Sequence, residues 1–327
     1  MKTTAALIAA LALGAAALPA VAADYSGSLV PHYPDVVAEY LQVDGHPAPG
    51  TPAALNKATF LRLRAAADGD SPAPANAVIV ALPGFSSTPA HWLYLASQLV
   101  SKAQGQTCEG KPCRVEVWVL QRRGAHLADT TGLTAARKAK DPAVALNYYL
   151  GKDALQPSTI PGAPAQVTGT SQGTWKPFTQ SDLAFMADWG FVTYAGDVDA
   201  MIGLIKEKSG NANIFLAGHS QGGGFVANYA ARKLADGSRG VDHLSGLIFL
   251  DGGPSAGTEA SPTAAQLKAY QDRVTAFHGE KAKVYTDATG MLGAIAGPQA
   301  AASQSVTGVY YPFVAPAAET IVPLRTA

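Results

Sequence analysis

Short apolar runs alternate along this sequence with stretches at helical spacing, which predicts an α/β fold: a mostly parallel central sheet with helices on both faces. Three observations carry the prediction. AVIVALPG (77–84), ANIFLAG (212–218) and SGLIFLDGG (245–253) are near-continuous apolar runs, the pattern of strands covered on both sides. The stretches between them place apolar residues three and four apart. Hydrophobic residues make up 48% and charged residues 15%, so the chain can bury a sizeable core. At 327 residues it is one large domain or two small ones.

The elements follow in order. Residues 1–22 read as a signal peptide, with Lys2 before an apolar run, then Pro19 and the small-residue end Ala20-Val21-Ala22. The mature chain is then expected to be secreted or periplasmic, without an integral membrane segment. Residues 24–56 are Pro-rich and carry one expected strand, 36–43. ATFLRLRAA (58–66) alternates and reads as a strand, and DGDSPAPAN (68–76) is a turn-rich connector. A helix is expected over 89–103, with Pro89 in its first turn and Trp92, Leu95, Leu99 and Val100 on its inner face. RVEVWVL (114–120) is the next strand.

From 124 to 180 the chain turns polar and irregular, an insertion of the kind that forms lids and substrate-facing loops. A helix is expected over 197–208. Another is expected over 222–235, with Phe225, Val226, Tyr229, Ala230 and Leu234 on one face and Gly237 as its stop. Residues 23–254 thus form the core. Residues 255–327, with a helix over 263–277 and no clear pair of buried strands, read as a cap-like or incomplete C-terminal part.

A net charge of zero argues against nucleic-acid or anionic-membrane partners. Cys108 and Cys113, in CEGKPC, read as a local disulfide in an exported chain. They have no companion pair at metal-ligand spacing, so a metal site is not expected.

The stretch AGHSQGG (217–223) carries the chemistry. Gly218-His219-Ser220-Gln221-Gly222 fits G-x-S-x-G directly between an expected strand and an expected helix. A serine there sits on a turn too sharp for side chains beside it, close to the N–H groups that open a helix. A serine in an ordinary Gly-rich loop needs no such frame.

With these residues the chain, from about 77 to 253, resembles the α/β-hydrolase superfamily and its lipase and esterase members. The resemblance implies a Ser–acid–His order, an acyl-enzyme on Ser220, and an oxyanion site of two backbone N–H groups. One donor is Gln221. The other belongs to ALPGFSS (81–87), with Phe85 first and Ser86 second; Pro83 stands where the family usually has histidine. VLQRRGAH (119–126) is similar to the family's D-x-R-G-x-G turn, with Gln121 and His126 departing from it, and Arg122 and Arg123 expected to fix it by hydrogen bonds. Asp251 reads either as the triad acid or as a turn-capping residue. Among seven histidines, His278 alone follows both Ser220 and Asp251. It reads either as the triad base or as a surface residue at a helix C-terminus. His126 could approach from the insertion, whereas His91 and His219 read as structural. The spacing after Ser220 is short for the strands that should precede the base, and a chain lacking the end of its domain is the expectation that follows.

The implied substrate is a small-molecule ester with an apolar acyl group. Two readings compete with it: a serine aminopeptidase of the same fold, and a non-catalytic relative that binds a ligand.

Overall fold

Seven strands form one twisted sheet in the computed structural model, which describes residues 28–30, 32–68, 74–84, 87–127, 131–141, 144, 147–148, 155–156, 166–167, 184–210, 213–253 and 263–278. The expected signal peptide (1–22), most of the 124–180 insertion, Phe85, Ser86 and the chain from 279 onward lie outside these residues.

The strands are β1 (Ser28–Val30), β2 (Tyr33–Asp44), β3 (Lys57–Ala65), β4 (Ala77–Leu82), β5 (Val115–Gln121), β6 (Ile214–His219) and β7 (Gly246–Leu250), in the spatial order β1-β2-β3-β5-β4-β6-β7. β1, β2, β3 and β5 pair antiparallel in turn. β5, β4, β6 and β7 are mutually parallel. The four parallel strands include the apolar runs singled out above. Crossover helices cover the two faces of the sheet, α1 (Ala90–Gln104) on one and α3 (Phe191–Ser209) with α4 (Gln221–Ala231) on the other, while Leu247 and Phe249 of β7 stay partly exposed. A further helix, α2 (Thr131–Ala139), lies in the insertion, and α5 (Ala264–His278) follows the sheet.

Strand residues alternate between faces, and the two cores show it. Phe60, Val80, Trp118, Leu120 and Leu216 meet α3 and α4 through Val198, Ile202, Val226 and Tyr229. Their neighbours Leu61, Ala81, Val117, Val119 and Ala217 meet α1 through Trp92, Ala96 and Val100.

Four boundaries or faces differ from the sequence expectation. The inner face of α1 is Trp92, Ala96, Val100 and Ala103, while Leu95 is 40% exposed. α3 starts at Phe191, six residues before the expected 197. Phe225 packs on both Phe191 and Tyr194, so tertiary contact overrides their modest helix propensity. α4 ends at Ala231 instead of 235: Arg232 is extended and Lys233 bridges to Arg239, so Gly237 serves that turn and not the helix end. β7 ends at Leu250, and Asp251 leaves it in a left-handed conformation, φ 44°. Cys108 and Cys113 are joined as expected, across a two-strand hairpin.

A buried ionic network closes the edge of the sheet where β5 begins. Glu116 is 1% exposed and its carboxylate accepts from Arg62 Nε (2.9 Å) and Nη2 (2.7 Å), Trp118 Nε1 (2.8 Å) and Ser209 Oγ (2.7 Å). Burial opposes ionisation, but the Arg62 bonds and charge, with those of Ser209 and Trp118, hold the carboxyl below its ordinary range. Folding thus favours the ionised form. Its stabilisation is full above the ordinary value of 4.5 and is lost as pH falls through the lowered native value. Urea midpoints are expected to decline below about pH 4.5, less steeply in Glu116→Gln. Arg62→Met leaves a buried carboxylate without its counter-charge and is expected to cost about 3–5 kcal/mol in the same assay at neutral pH.

Candidate active site

β6 ends at His219 and α4 begins at Gln221, so Ser220 alone makes the strand-to-helix turn. It does so at φ 53°, ψ −123°, a conformation that costs of order 1–3 kcal/mol for a residue with a side chain. The surroundings hold it there. The Ser220 N–H donates to the Leu250 carbonyl at the end of β7 (3.1 Å), and its own carbonyl accepts from Gly223 N–H (2.9 Å). Gly222 lies so close to the end of β4 that a methyl on it would collide with the Leu82 carbonyl. Gly252 lies against Ser220 in the same way, its would-be methyl 2.7 Å from Ser220 Cα. The ends of β4, β6 and β7 therefore converge on one residue, whose side chain points out to solvent.

Two N–H-bearing segments border that side chain. Gln221 opens α4, so its N–H has no acceptor within the helix. The loop after β4 passes on the other side: a methyl on Gly84 would stand 3.1 Å from Ser220 Cβ. Phe85 and Ser86, the expected second donor and its alternate, lie just beyond Gly84 and outside the described residues.

Asp251 follows β7 directly. His219 pairs with Leu250, so the residue after each strand end, Ser220 and Asp251, stand side by side. Asp251 is exposed. His278 is the last residue of α5, as the sequence suggested, and its side chain lies outside the described residues. Among the described residues no histidine hydrogen-bonds Ser220.

His219 ends β6 beside the turn, its Nδ1 3.1 Å from where a methyl on Gly84 would stand, and the structure places His126, His91 and His243 elsewhere. His126 Nε2 contacts Thr59 Oγ1 (3.2 Å) beside β3, and burial together with the Arg123 charge lowers its pKa. β3 is three strand steps from β6, about 14 Å at ~4.8 Å per step, so His126 is not poised to serve Ser220. His91 Nδ1 accepts from Thr88 N–H (3.1 Å) at the start of α1. Ser238, His243 and Asp199 lie in a row, Ser238 Oγ to His243 Nε2 at 2.9 Å, but the Ser238 hydroxyl donates to Asp236 (2.6 Å). That group closes a surface turn.

The two arginines after β5 divide their work. Arg123 is 1% exposed and binds Asp197 through Nε (2.8 Å) and Nη2 (2.6 Å), Asn56 Oδ1 (2.9 Å) and the His46 carbonyl (2.6 Å). It welds the β2–β3 turn to α3, and Asp197 is a member that sequence reasoning missed. Arg122 reaches out of its own turn to the Pro83 carbonyl (2.8 Å) and Gln221 Oε1 (2.8 Å). Its guanidinium lies 5.1 Å over the Phe225 ring. A small, mostly apolar recess opens beside it, lined by Leu82, Pro83, Phe191, Tyr194 and Phe225. Among the described residues no cluster of His, Cys, Asp or Glu is placed to hold a metal ion, and no helix is long and apolar enough to cross a membrane.

Gly222→Ala is expected to cost about 3 kcal/mol in urea unfolding, at the top of the usual overpacking range, because the obstacle is backbone. Gly224→Ala, two residues along the same helix with open space around it, is expected to be neutral or up to ~1 kcal/mol stabilising.

A family model described as alpha/beta hydrolase fold matches residues 120–302, more than half of the chain. No curated protein matches. Among solved structures, a lipase candidate from Sulfolobus solfataricus shares 16% identity at a TM-score of 0.38, covering 75% of this chain and 54% of that one. A peroxisomal α/β-hydrolase from Saccharomyces cerevisiae shares 14% at 0.37, covering 70% and 48%. A thermostable carboxyl esterase from Bacillus coagulans shares 14% at 0.36, covering 78% and 55%. The chain thus spans about half the length of these structures, and likenesses this low carry no argument about activity. The strand order, the turn at Ser220 and the family match agree: the chain belongs to the α/β-hydrolase fold family.

Proposed function

We propose that the chain is an exported serine hydrolase that cleaves carboxylic esters through an acyl-enzyme on Ser220. The observation that carries the reading is the Ser220 backbone, a residue with a side chain held at φ 53° where three strand ends meet, its hydroxyl exposed. Backbone strain persists only where its surroundings enforce it, and it collects at functional sites.

In this reading Ser220 Oγ attacks the ester carbonyl and its proton passes to a histidine. The carbonyl oxygen takes up the negative charge and accepts from the Gln221 and Phe85 N–H groups, each worth about 3 kcal/mol of transition-state stabilisation. The C–O bond to the alcohol then breaks, and the histidine returns the proton to the leaving oxygen. Water repeats the sequence on the acyl-enzyme and frees the acid. Asp251 orients the histidine and offsets its charge. His278 is the assigned base: it follows Asp251 in the chain, and α5 runs beside the turn at Ala184–Asp188 that leads into α3. Export rests on the 1–22 segment.

p-Nitrophenyl butyrate hydrolysis by the mature chain is expected to disappear in Ser220→Ala. It is expected to fall at least about 1000-fold in His278→Ala, and less in Asp251→Asn, since the acid assists through the histidine. Undiminished turnover in Ser220→Ala refutes the reading.

A further inference from the structure

We infer that Arg122 is a positioning residue for the oxyanion site, holding its two donor-bearing segments at a fixed separation. The inference rests on the serine-hydrolase reading above.

The two proposed donors come from unrelated parts of the chain. Phe85 follows Gly84 in the chain, and Gln221 opens α4 after β6. Gly84 borders Ser220 on one side and Gln221 follows it on the other, so a negative oxygen is well held only if both N–H groups converge on one point. A small relative displacement is costly: about 1 Å in such a geometry lowers rate about 100-fold.

Arg122 binds both segments at once. Nη2 donates to the Pro83 carbonyl, one residue before Gly84, which itself lies against Ser220. Nη1 of the same guanidinium donates to Gln221 Oε1. Both bonds are 2.8 Å, and they leave from a rigid planar fork, which fixes the spacing between the two acceptors. Phe225, one turn into α4, packs on the guanidinium and limits its swing. Lysine has one nitrogen on a flexible stem and cannot hold two acceptors at a set distance. The Gln221 side chain also acquires a role: its amide oxygen is the handle by which the start of α4 is held, and its backbone N–H is the donor.

Arg122→Met, Arg122→Lys, Gln221→Ala and the Arg122→Met/Gln221→Ala pair are compared with wild type and Ser220→Ala. The readouts are kcat and KM for p-nitrophenyl butyrate, the Kd of a phenylboronic acid that mimics the tetrahedral state, and the unfolding temperature. In Arg122→Met, kcat is expected to fall about 100-fold with KM within about threefold, and the boronic acid to weaken by the same factor as kcat. Arg122→Lys is expected to recover only part of this. The double variant is expected to lose no more than Arg122→Met alone, because both changes break one link. Arg122→Met within about threefold of wild-type kcat, beside an inactive Ser220→Ala, overturns the inference and leaves the serine reading standing. A kcat loss that tracks the unfolding temperature, with unchanged boronic-acid affinity, overturns it as well and makes Arg122 a fold residue. Full turnover in Ser220→Ala, or a wild type that neither turns over nor binds the boronic acid, overturns both.

Discussion

The Ser220 N–H and carbonyl are both committed, one to the end of β7 and the other to the first turn of α4. That double commitment fixes the strained φ and ψ, and much of the local architecture exists to permit it. α4 can begin directly above β4 only because Gly222 has no side chain to meet the Leu82 carbonyl. β7 can end against the turn only because Gly252 has none to meet Ser220. Asp251 adopts its own left-handed conformation to bring Gly252 there. Ordinary strand-to-helix loops spread such a reversal over several residues. Here it falls on one, so one hydroxyl is lifted clear of the sheet.

Two ionic networks brace the sheet at opposite edges, and they bear differently on this turn. Glu116 and Arg62 lie at the edge where β5 starts, beside the last residue of α3, far from Ser220. Arg123 and Asp197 lie at the edge where β5 ends. A buried ion pair is weak evidence of stability, since desolvation offsets its attraction. Its effect here is positional. Arg123 fixes the start of α3 to the β2–β3 turn, and α3 then presses Phe191 and Tyr194 onto Phe225. Phe225 is the ring beneath Arg122. A contiguous set of packed groups therefore runs from a buried salt bridge to the border of the candidate site.

β4, β5 and β6 were legible because burial on both faces leaves an uninterrupted apolar signature, and the turn at Ser220 because glycine spacing records backbone contact directly. Helix faces and ends were less legible. Leu95 is as apolar as Trp92, but the sheet takes up Trp92, Ala96, Val100 and Ala103, a choice made by the partner surface. The start of α3 is set by Phe225, over thirty positions away, and the end of α4 by the bridge from Lys233 to Arg239. The sequence pointed to two arginines fixing a turn. Both instead bond distant residues, Arg123 67 to 77 positions away and Arg122 39 and 99 positions away, separations that no local pattern encodes.

Asp251 shows how a sheet register can decide what a motif leaves open. As a residue type after an apolar strand, an aspartate caps turns as readily as it orients a base. Parallel pairing of β6 with β7 aligns His219 with Leu250, and that alignment sets Asp251 beside Ser220 whatever its role. A one-residue slip would carry the carboxylate past the turn and put the strand's side chains on the wrong faces. The register is fixed independently of any chemistry, because Leu250 and Ile248 pack into the α1-side core. The location of Asp251 is thus a consequence of burying β7. In the proposed triad the base, by contrast, comes from a helix with no pairing to hold it in register, so the strand order locates Asp251 and Ser220 while His278 is assigned only by its place in the chain.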